Sequence, residues 1–338
     1  MKCRRCRQVE AAIELPSHHA AFCPECFFIF FKKQVREGIR RHRLLSPRDR
    51  VLVCVSGGKD SLVLWDVLMD MGYETEGLYV DLGIEGYSDR SREKVIAYAN
   101  ARGKQPIIVE LTKEGVPIPE AARYTRMQEC SICGTVKRYF FNRIAKEGSF
   151  SVVATGHNLD DESARLLGNL LHWQREHLAR QHPHLPASAE GLVRKIKPLW
   201  RVSELETAAY GFLKDIDYVI EECPMSERAT SLVYKEAMSL IEERMPGSRI
   251  VFYQSFLDKA NPLRTSTWKA TAKASVPTDT LADDDAEDAS GDPESGTESI
   301  PRSCASCGAL TYAETCAYCR LKELIRKRRG KRAKETDR

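Results

Sequence analysis

The stretch RVLVCVSGGKDSLVLWDVL, residues 50–68, constrains the fold more than any other part of the chain. Its opening run is β-branched and apolar and reads as a strand. A glycine pair, Lys59, Asp60 and Ser61 follow, and then an apolar pattern resumes as a helix. A glycine-rich turn between strand and helix presents backbone N–H groups and a positive helix end to an anion. Gly57 and Gly58 permit close approach, Lys59 adds a point charge, and Ser56 and Ser61 add hydroxyl donors. It is not the P-loop pattern with two spaced glycines, because a single glycine pair precedes the lysine and Asp60 follows it. A plain surface turn could carry Gly-Gly-Lys, but the flanking strand and helix argue against that.

The same alternation continues. YETEGLYVDLG, QPIIVEL and FSVVATGHN read as strands. SREKVIAYANARG, CGTVKRYFFNRIAKEG and LDDESARLLGNLLHW read as helices, the first closed by Gly103 as a C-cap. Strands alternating with helices imply an α/β fold, a doubly wound parallel sheet covered on both faces. Sites in such folds lie at the carboxyl ends of the strands. The glycine turn, Asp81 and TGHNLDDE all fall there and can converge.

Twelve cysteines punctuate the chain. Cys3, Cys6, Cys23 and Cys26 form two C-x-x-C pairs sixteen residues apart, and Cys304, Cys307, Cys316 and Cys319 form two pairs eight residues apart. With no basic-then-apolar leader at the N-terminus, such pairs read as metal ligands rather than disulfides. Each quartet can close a tetrahedral structural zinc site. His18 and His19 fall inside the first knuckle and read as loop residues. Cys130 and Cys133 form a third C-x-x-C entering a helix, and Cys223 stands alone before a proline. Cys54 sits inside the first strand and reads as buried. Three thiolates are an incomplete tetrahedral set; a redox dithiol or a third zinc with a borrowed histidine would also account for them.

Charge is segregated. The net charge is only +4, but residues 276–300 hold nine acidic side chains and no Lys or Arg, so the remainder carries +13. That excess suggests a polyanionic partner, although a solubilising surface would look similar. FFKKQVREGIRRHRLL has apolar residues at near-helical spacing, so one face can pack while the other meets phosphates. The C-terminal RLKELIRKRRGKRAKETDR has ten basic residues against three acidic ones. No apolar run approaches the ~20 residues of a membrane span, so a cytoplasmic protein is expected. The expected layout is an N-terminal zinc finger at 1–30, a basic linker helix at 31–48 and a catalytic domain at 49–260. An acidic disordered linker at 261–300, a second zinc finger at 301–320 and a basic tail at 321–338 complete it.

SGGKDS resembles the PP-loop of the N-type ATP pyrophosphatases, a Rossmann-like fold. In that superfamily the loop grips the pyrophosphate end of ATP while the α-phosphate is attacked, so that AMP passes to a substrate oxygen. An amide-like carbonyl oxygen leaves poorly, and adenylation makes it a good leaving group. The resemblance implies ATP held by Ser56, Gly57, Gly58, Lys59, Asp60, Ser61, Val80 and Gly156, with Mg2+ on Asp60 and Asp161.

The segments SGGKDS, DLGI, CSICGTVKRY, TGHNLDDE, KIKPLW and ECPMSERATS, in that order, resemble the TtcA/TtuA family of tRNA thiolation enzymes. The likeness runs over essentially the whole ordered chain. The two terminal zinc modules point to the TtuA-like branch, which thiolates uridine, and away from the TtcA branch, which thiolates cytidine. The resemblance implies a 4Fe–4S cluster on Cys130, Cys133 and Cys223, with one iron open to sulfide. It implies catalytic roles for Lys137 and Asp161, with Cys130 and Cys223 at the reacting centre. It also implies tRNA as partner and 2-thiouridine as product, at position 54 in preference to 34. The sulfur donor would be a thiocarboxylated ubiquitin-like protein or free sulfide, and a homodimer is compatible with it. The acidic tether departs from the family pattern, and Tyr79 stands where an imidazole would be expected, so no base is assigned there. Two other readings compete. One is cytidine thiolation or a non-thiolating PP-loop tRNA ligase, and the additional cysteines argue against the ligase. The other is a zinc-ribbon RNA-binding adaptor with a vestigial ATP site, against which the intact Lys59, Asp60, Ser61 and Asp161 stand.

Overall fold

A computed structural model describes residues 1–125, 127–188, 191–226, 230–259 and 302–336. The expected acidic linker, 261–300, and the last two residues of the basic tail lie outside them. The chain opens with a short antiparallel pair, β1 (Ile13–Leu15) and β2 (Ala20–Phe22), and runs into a long helix, α1 (Pro24–His42). That helix starts inside the first cysteine module, so the finger and the basic segment are one continuous element rather than finger and linker.

The central region then alternates β3 (Arg50–Val55), α2 (Lys59–Asp70), β4 (Glu74–Asp81), α3 (Tyr87–Ala101) and β5 (Ile107–Glu110). Two short helices, α4 (Leu111–Glu114) and α5 (Ile118–Thr125), precede α6 (Glu129–Glu147), β6 (Val152–Thr155) and α7 (Leu159–Leu171). Each strand and helix expected from the sequence is present. The half after residue 173 was not legible as elements: α8 (Arg175–Arg180), β7 (His184–Leu185), β8 (Arg194–Ile196), α9 (Glu204–Leu213), α10 (Ser231–Arg244) and α11 (Ser248–Lys259). The chain ends in β9 (Arg302–Ser303), β10 (Leu310–Thr311) and a helix we number α12 (Ala317–Thr336).

Six strands form one sheet in the order β5-β4-β3-β6-β8-β7, parallel except for the edge strand β7. β3 is central because its side chains are buried on both faces. Alternate residues of this strand enter different cores. Val51, Val53 and Val55 pack with α1, α2 and α9, whereas Leu52 and Cys54 pack with α5 and α6. The chain winds from β3 to β4 and β5 on one side, then returns to β6 on the other. The crevice beyond β3 and β6 is therefore the switch point where a doubly wound sheet binds its ligand. Among the described residues no helix is long and apolar enough to cross a membrane.

Candidate active site

The glycine turn occupies that crevice. Gly57 has φ +82°, and a Cβ there would lie 2.7 Å from the Ser91 carbonyl oxygen, so no other residue fits. Its own carbonyl accepts from the Val219 amide at 2.9 Å. Gly156, at the end of β6, would place a Cβ 2.9 Å from the Ser61 amide nitrogen; its lack of side chain lets the start of α2 sit against the strand end. The Ser61 hydroxyl accepts from the Ser56 amide at 3.0 Å and donates to the Gly58 carbonyl at 2.9 Å. It braces the turn from inside, which leaves the N–H groups of the first turn of α2 to face a ligand.

Charges of both signs gather beside the turn. Lys59 Nζ lies 3.1 Å from Asp60 Oδ1, 3.4 Å from Glu204 Oε1 and 3.3 Å from Thr207 Oγ1. The three consecutive acids at the start of α7 diverge. Asp160 pairs with Arg249 at 2.6 Å and accepts from the Glu204 amide at 2.9 Å. Glu162, fully buried, is held by Lys197 at 2.6 Å and by the Tyr253 hydroxyl at 2.7 Å. Only Asp161 turns toward the charges beside the glycine turn. It caps α7 reciprocally with Asn158 and meets Lys235 Nζ at 2.5 Å. Burial alone would raise the Asp161 carboxyl, but Lys235, His157 and the Asn158 amide hold it below the usual carboxylate range. Lys235 also feels Glu204 and Asp60. Glu204 thus lies between two lysines, Lys59, which it shares with Asp60, and Lys235, which it shares with Asp161. Glu204 and Lys235 were not anticipated. The only sequence signal for Glu204 was the Ser203-x-x-Glu206 capping box, which places it in the first turn of a helix.

On the other side of Ser56 opens a cavity of about 370 Å3. Cys130, Cys133 and Lys137 line it from α6, Cys223 and Met225 from the loop before α10, and Ser56 and Val80 from the strand ends. The Cys130 thiol lies 3.6 Å from the Met225 carbonyl, which ties the two segments together. Cys223 therefore meets Cys130, Cys133 and Lys137 from a distant part of the chain, whereas Asp161 pairs with Lys235 and does not line this cavity. Cys54 is buried as expected and also borders the cavity; burial pushes its thiol up. The Lys137 ammonium is stabilised by Cys133, against the effect of burial. Burial pushes the Cys223 thiol up. His157, Arg165 and Tyr87 complete the wall and were missed. The His157 Nδ1 sits 2.8 Å from the Thr155 hydroxyl, and burial with Lys197 and Arg165 pushes the imidazole down to about 4, so it is neutral. Tyr79 also lines the cavity, but its hydroxyl is engaged, donating to the Ser88 carbonyl at 2.8 Å.

The terminal quartets are tighter. In each, the four sulfurs lie within 4.8 Å of one another, with Cys6 and Cys23 4.0 Å apart and Cys307 and Cys316 3.7 Å apart. Tetrahedral zinc at about 2.3 Å from each sulfur spaces them about 3.8 Å apart. The residues fit that ion and are too far apart for disulfides. Among the described residues these are the two groups so spaced. Cys130, Cys133 and Cys223 surround a space instead. That suits a cluster, whose ligands bind different irons, better than a single ion.

Basic surfaces flank the core. The apolar face of α1 buries Phe27, Phe31, Val35 and Ile39, while Lys33, Arg36, Arg40 and Arg43 are exposed. On α12, Arg326, Lys327, Arg328 and Arg329 are exposed.

The chain matches the family model described as "2-thiouridine synthetase TtuA, N-terminal LIM domain" over residues 2–28 and the PP-loop domain over residues 31–230. It is 43% identical over 98% of its length to a Thermus thermophilus protein named tRNA-5-methyluridine(54) 2-sulfurtransferase, covering 94% of that protein. A protein of the same name from Thermotoga maritima is 35% identical, with 98% of this chain and 99% of that one covered. Among solved structures, the U34-tRNA thiolase NcsA from Methanococcus maripaludis with its 4Fe–4S cluster superposes with a TM-score of 0.69 at 26% identity. That match covers 78% of this chain and 89% of NcsA.

Proposed function

We propose, from the premise that this chain belongs to the TtuA family of PP-loop 2-thiouridine synthetases, that it is an ATP-dependent tRNA 2-sulfurtransferase acting on uridine 54. The observation that carries this reading is the meeting of Cys130, Cys133, Cys223 and Lys137 in one cavity that shares Ser56 with the glycine turn. Activation and sulfur delivery then occur side by side. Position 54 is favoured because the relatives at 43% and 35% identity are named for it, whereas the U34 enzyme is 26% identical.

Gly57, Gly58 and Lys59 hold the pyrophosphate end of ATP at the start of α2. Asp60 and Asp161, with Glu204 beside them, would hold Mg2+, which neutralises charge on the phosphates. The uridine C2 carbonyl oxygen attacks the α-phosphorus and pyrophosphate leaves. Sulfide then attacks C2, and AMP departs with the former carbonyl oxygen. Cys130, Cys133 and Cys223 would hold a 4Fe–4S cluster, which supplies an open iron for that sulfide. Lys137, one turn beyond Cys133, faces the same space and stabilises negative charge on sulfur and on the adenylated base. His157 is neutral and so offers one donor or acceptor without adding charge. Zinc fills the two terminal quartets. The tRNA phosphates meet the exposed basic side chains of α1 and α12. Sulfide arrives free or from a thiocarboxylated ubiquitin-like protein, in the cytoplasm, where the thiols stay reduced.

The test is mass spectrometry of tRNA nucleosides from a strain lacking this chain, with the thiolated position mapped. Loss of 2-thiouridine derivatives at position 54 is expected. Loss at 34, or of a thiolated cytidine, would replace the reading with one of its relatives.

A further inference from the structure

The C-terminal cysteine module docks on the outer side of the helices that wall the cavity. Tyr318 lies flat on Tyr139 of α6, with ring centroids 4.0 Å apart and planes at 13°, and meets Phe140 edge-on at 5.4 Å. Its hydroxyl is 3.5 Å from Glu114 Oε2, and Lys322 is 3.9 Å from the same oxygen. Arg143 of α6 reaches Glu114 Oε1 at 3.6 Å. Farther along α12, Arg328 donates to the Tyr124 carbonyl and Arg329 pairs with Glu120, both on α5. Cys304, Cys316, Leu321 and Ile325 belong to the same core as Ile132 and Val136 of α6.

The start of α6 needs such support. Its N-cap, Gln128, makes no side-chain cap. Its first two turns, ECSICGT, are rich in Cys, Ser, Gly and Thr, all weak helix formers. Those turns carry Cys130 and Cys133, and Lys137 follows one turn later. Tertiary packing, not propensity, has to hold them.

We propose that Tyr318 is a positioning residue. Through it the C-terminal quartet, when filled, splints α6 so that Cys130, Cys133 and Lys137 face the cavity, and the two metal sites are thereby coupled. The proposal rests on the reading that the cavity holds an iron–sulfur cluster.

The test uses the full chain, reconstituted anaerobically, with iron and zinc per chain and amide exchange across residues 118–147 as readouts. Tyr318→Ala should lose most of its iron and speed exchange in α6 about tenfold. Tyr318→Phe, which keeps the stack, should restore both. Glu114→Gln, which discharges the pairs with Lys322 and Arg143 without opening a void, should move both readouts in the same direction by less, and decides the matter if Tyr318→Ala does not fold. Phe30→Ala disturbs the other module, where Phe30 stacks on Phe22 at 4.9 Å, and should change neither readout. Wild-type iron and wild-type exchange in Tyr318→Ala would overturn the proposal. If the unaltered chain takes up no iron, the cluster reading fails. Exchange then decides alone: faster exchange supports the splint, and unchanged exchange removes it.

Discussion

In both terminal modules an antiparallel strand pair leads into a long helix whose start carries the last two cysteines: Cys23 and Cys26 at α1, Cys316 and Cys319 at α12. A helix start favours thiolates, which gives the shared design a physical reason. The modules then part company. Cys3, Cys23, Cys26 and Phe27 pack into the core on one face of the sheet, with Phe31 and Tyr210. Cys304, Cys316 and Tyr318 pack into the core on the other face, with the helices that wall the cavity. Both modules lead into a basic helix, but the second also backs the thiol-bearing helix. Two copies of one cysteine motif differ in consequence because of the face on which each is buried. The cavity cysteines differ from both quartets, being spread around a space rather than closed on a point.

The sharpest break of that last contrast is Cys223→Ala. Iron, visible absorbance and thiolation should vanish together while zinc stays at about two per chain, and added sulfide should not rescue it. Full iron and activity in that variant would leave a Cys130–Cys133 dithiol as the better account. Next in size is Lys59→Ala, on the glycine-turn side of Ser56. Turnover should fall about 10^2- to 10^3-fold with iron and zinc unchanged, because no metal-binding thiol is touched.

A smaller effect separates the two basic helices. Replacing Arg36 and Arg40 on α1, or Arg326 and Lys327 on α12, by Ala should weaken tRNA binding. For every phosphate that a removed side chain neutralised, the slope of log affinity against log salt should become shallower by about 1. A helix whose variant leaves affinity and slope unchanged is outside the footprint.

The smallest lies at the opposite end of the sheet from the site. Asp49 accepts from the Ser46 amide at 2.6 Å and the Ser151 hydroxyl at 2.8 Å, and pairs with Arg194 at 2.7 Å. Burial would raise its carboxyl, but these partners hold it below the usual range. A carboxyl depressed by folding contributes stability above its unfolded pKa and loses it as pH falls through the folded one. Asp49→Asn should therefore cost about 1–3 kcal/mol near pH 7, a difference that shrinks below about pH 4. Denaturant unfolding at the two pH values checks this, and the metal content of both modules should not change.

Much of this was legible in the sequence because local patterns were strong. The run RVLVCVSGGKDS carries a buried strand, a glycine turn and a helix start within twelve residues, and each appears where expected. The quartets were legible from spacing alone. The gathering of Cys223 with Cys130 and Cys133 was suggested by resemblance rather than by spacing, since nothing local connects residues 133 and 223. Glu204 and Lys235 were illegible for a related reason: each faces Asp161 or Lys59 only after α9 and α10 fold back on the crevice. The short strands β7 and β8, of two and three residues, carry too little periodicity to be seen. The docking of Tyr318 was hidden by distance, with 179 positions separating it from Tyr139.

The central claim is that the cavity thiols and the glycine turn serve one reaction. It is tested most directly by anaerobic incubation of the iron-reconstituted chain with unmodified tRNA, ATP and sulfide, followed by nucleoside mass spectrometry and quantification of AMP. The account predicts a 2-thiolated uridine at position 54, with AMP formed in step with it and neither product when ATP is omitted. Thiolation without ATP, or AMP formation with no sulfur entering the tRNA, would contradict it.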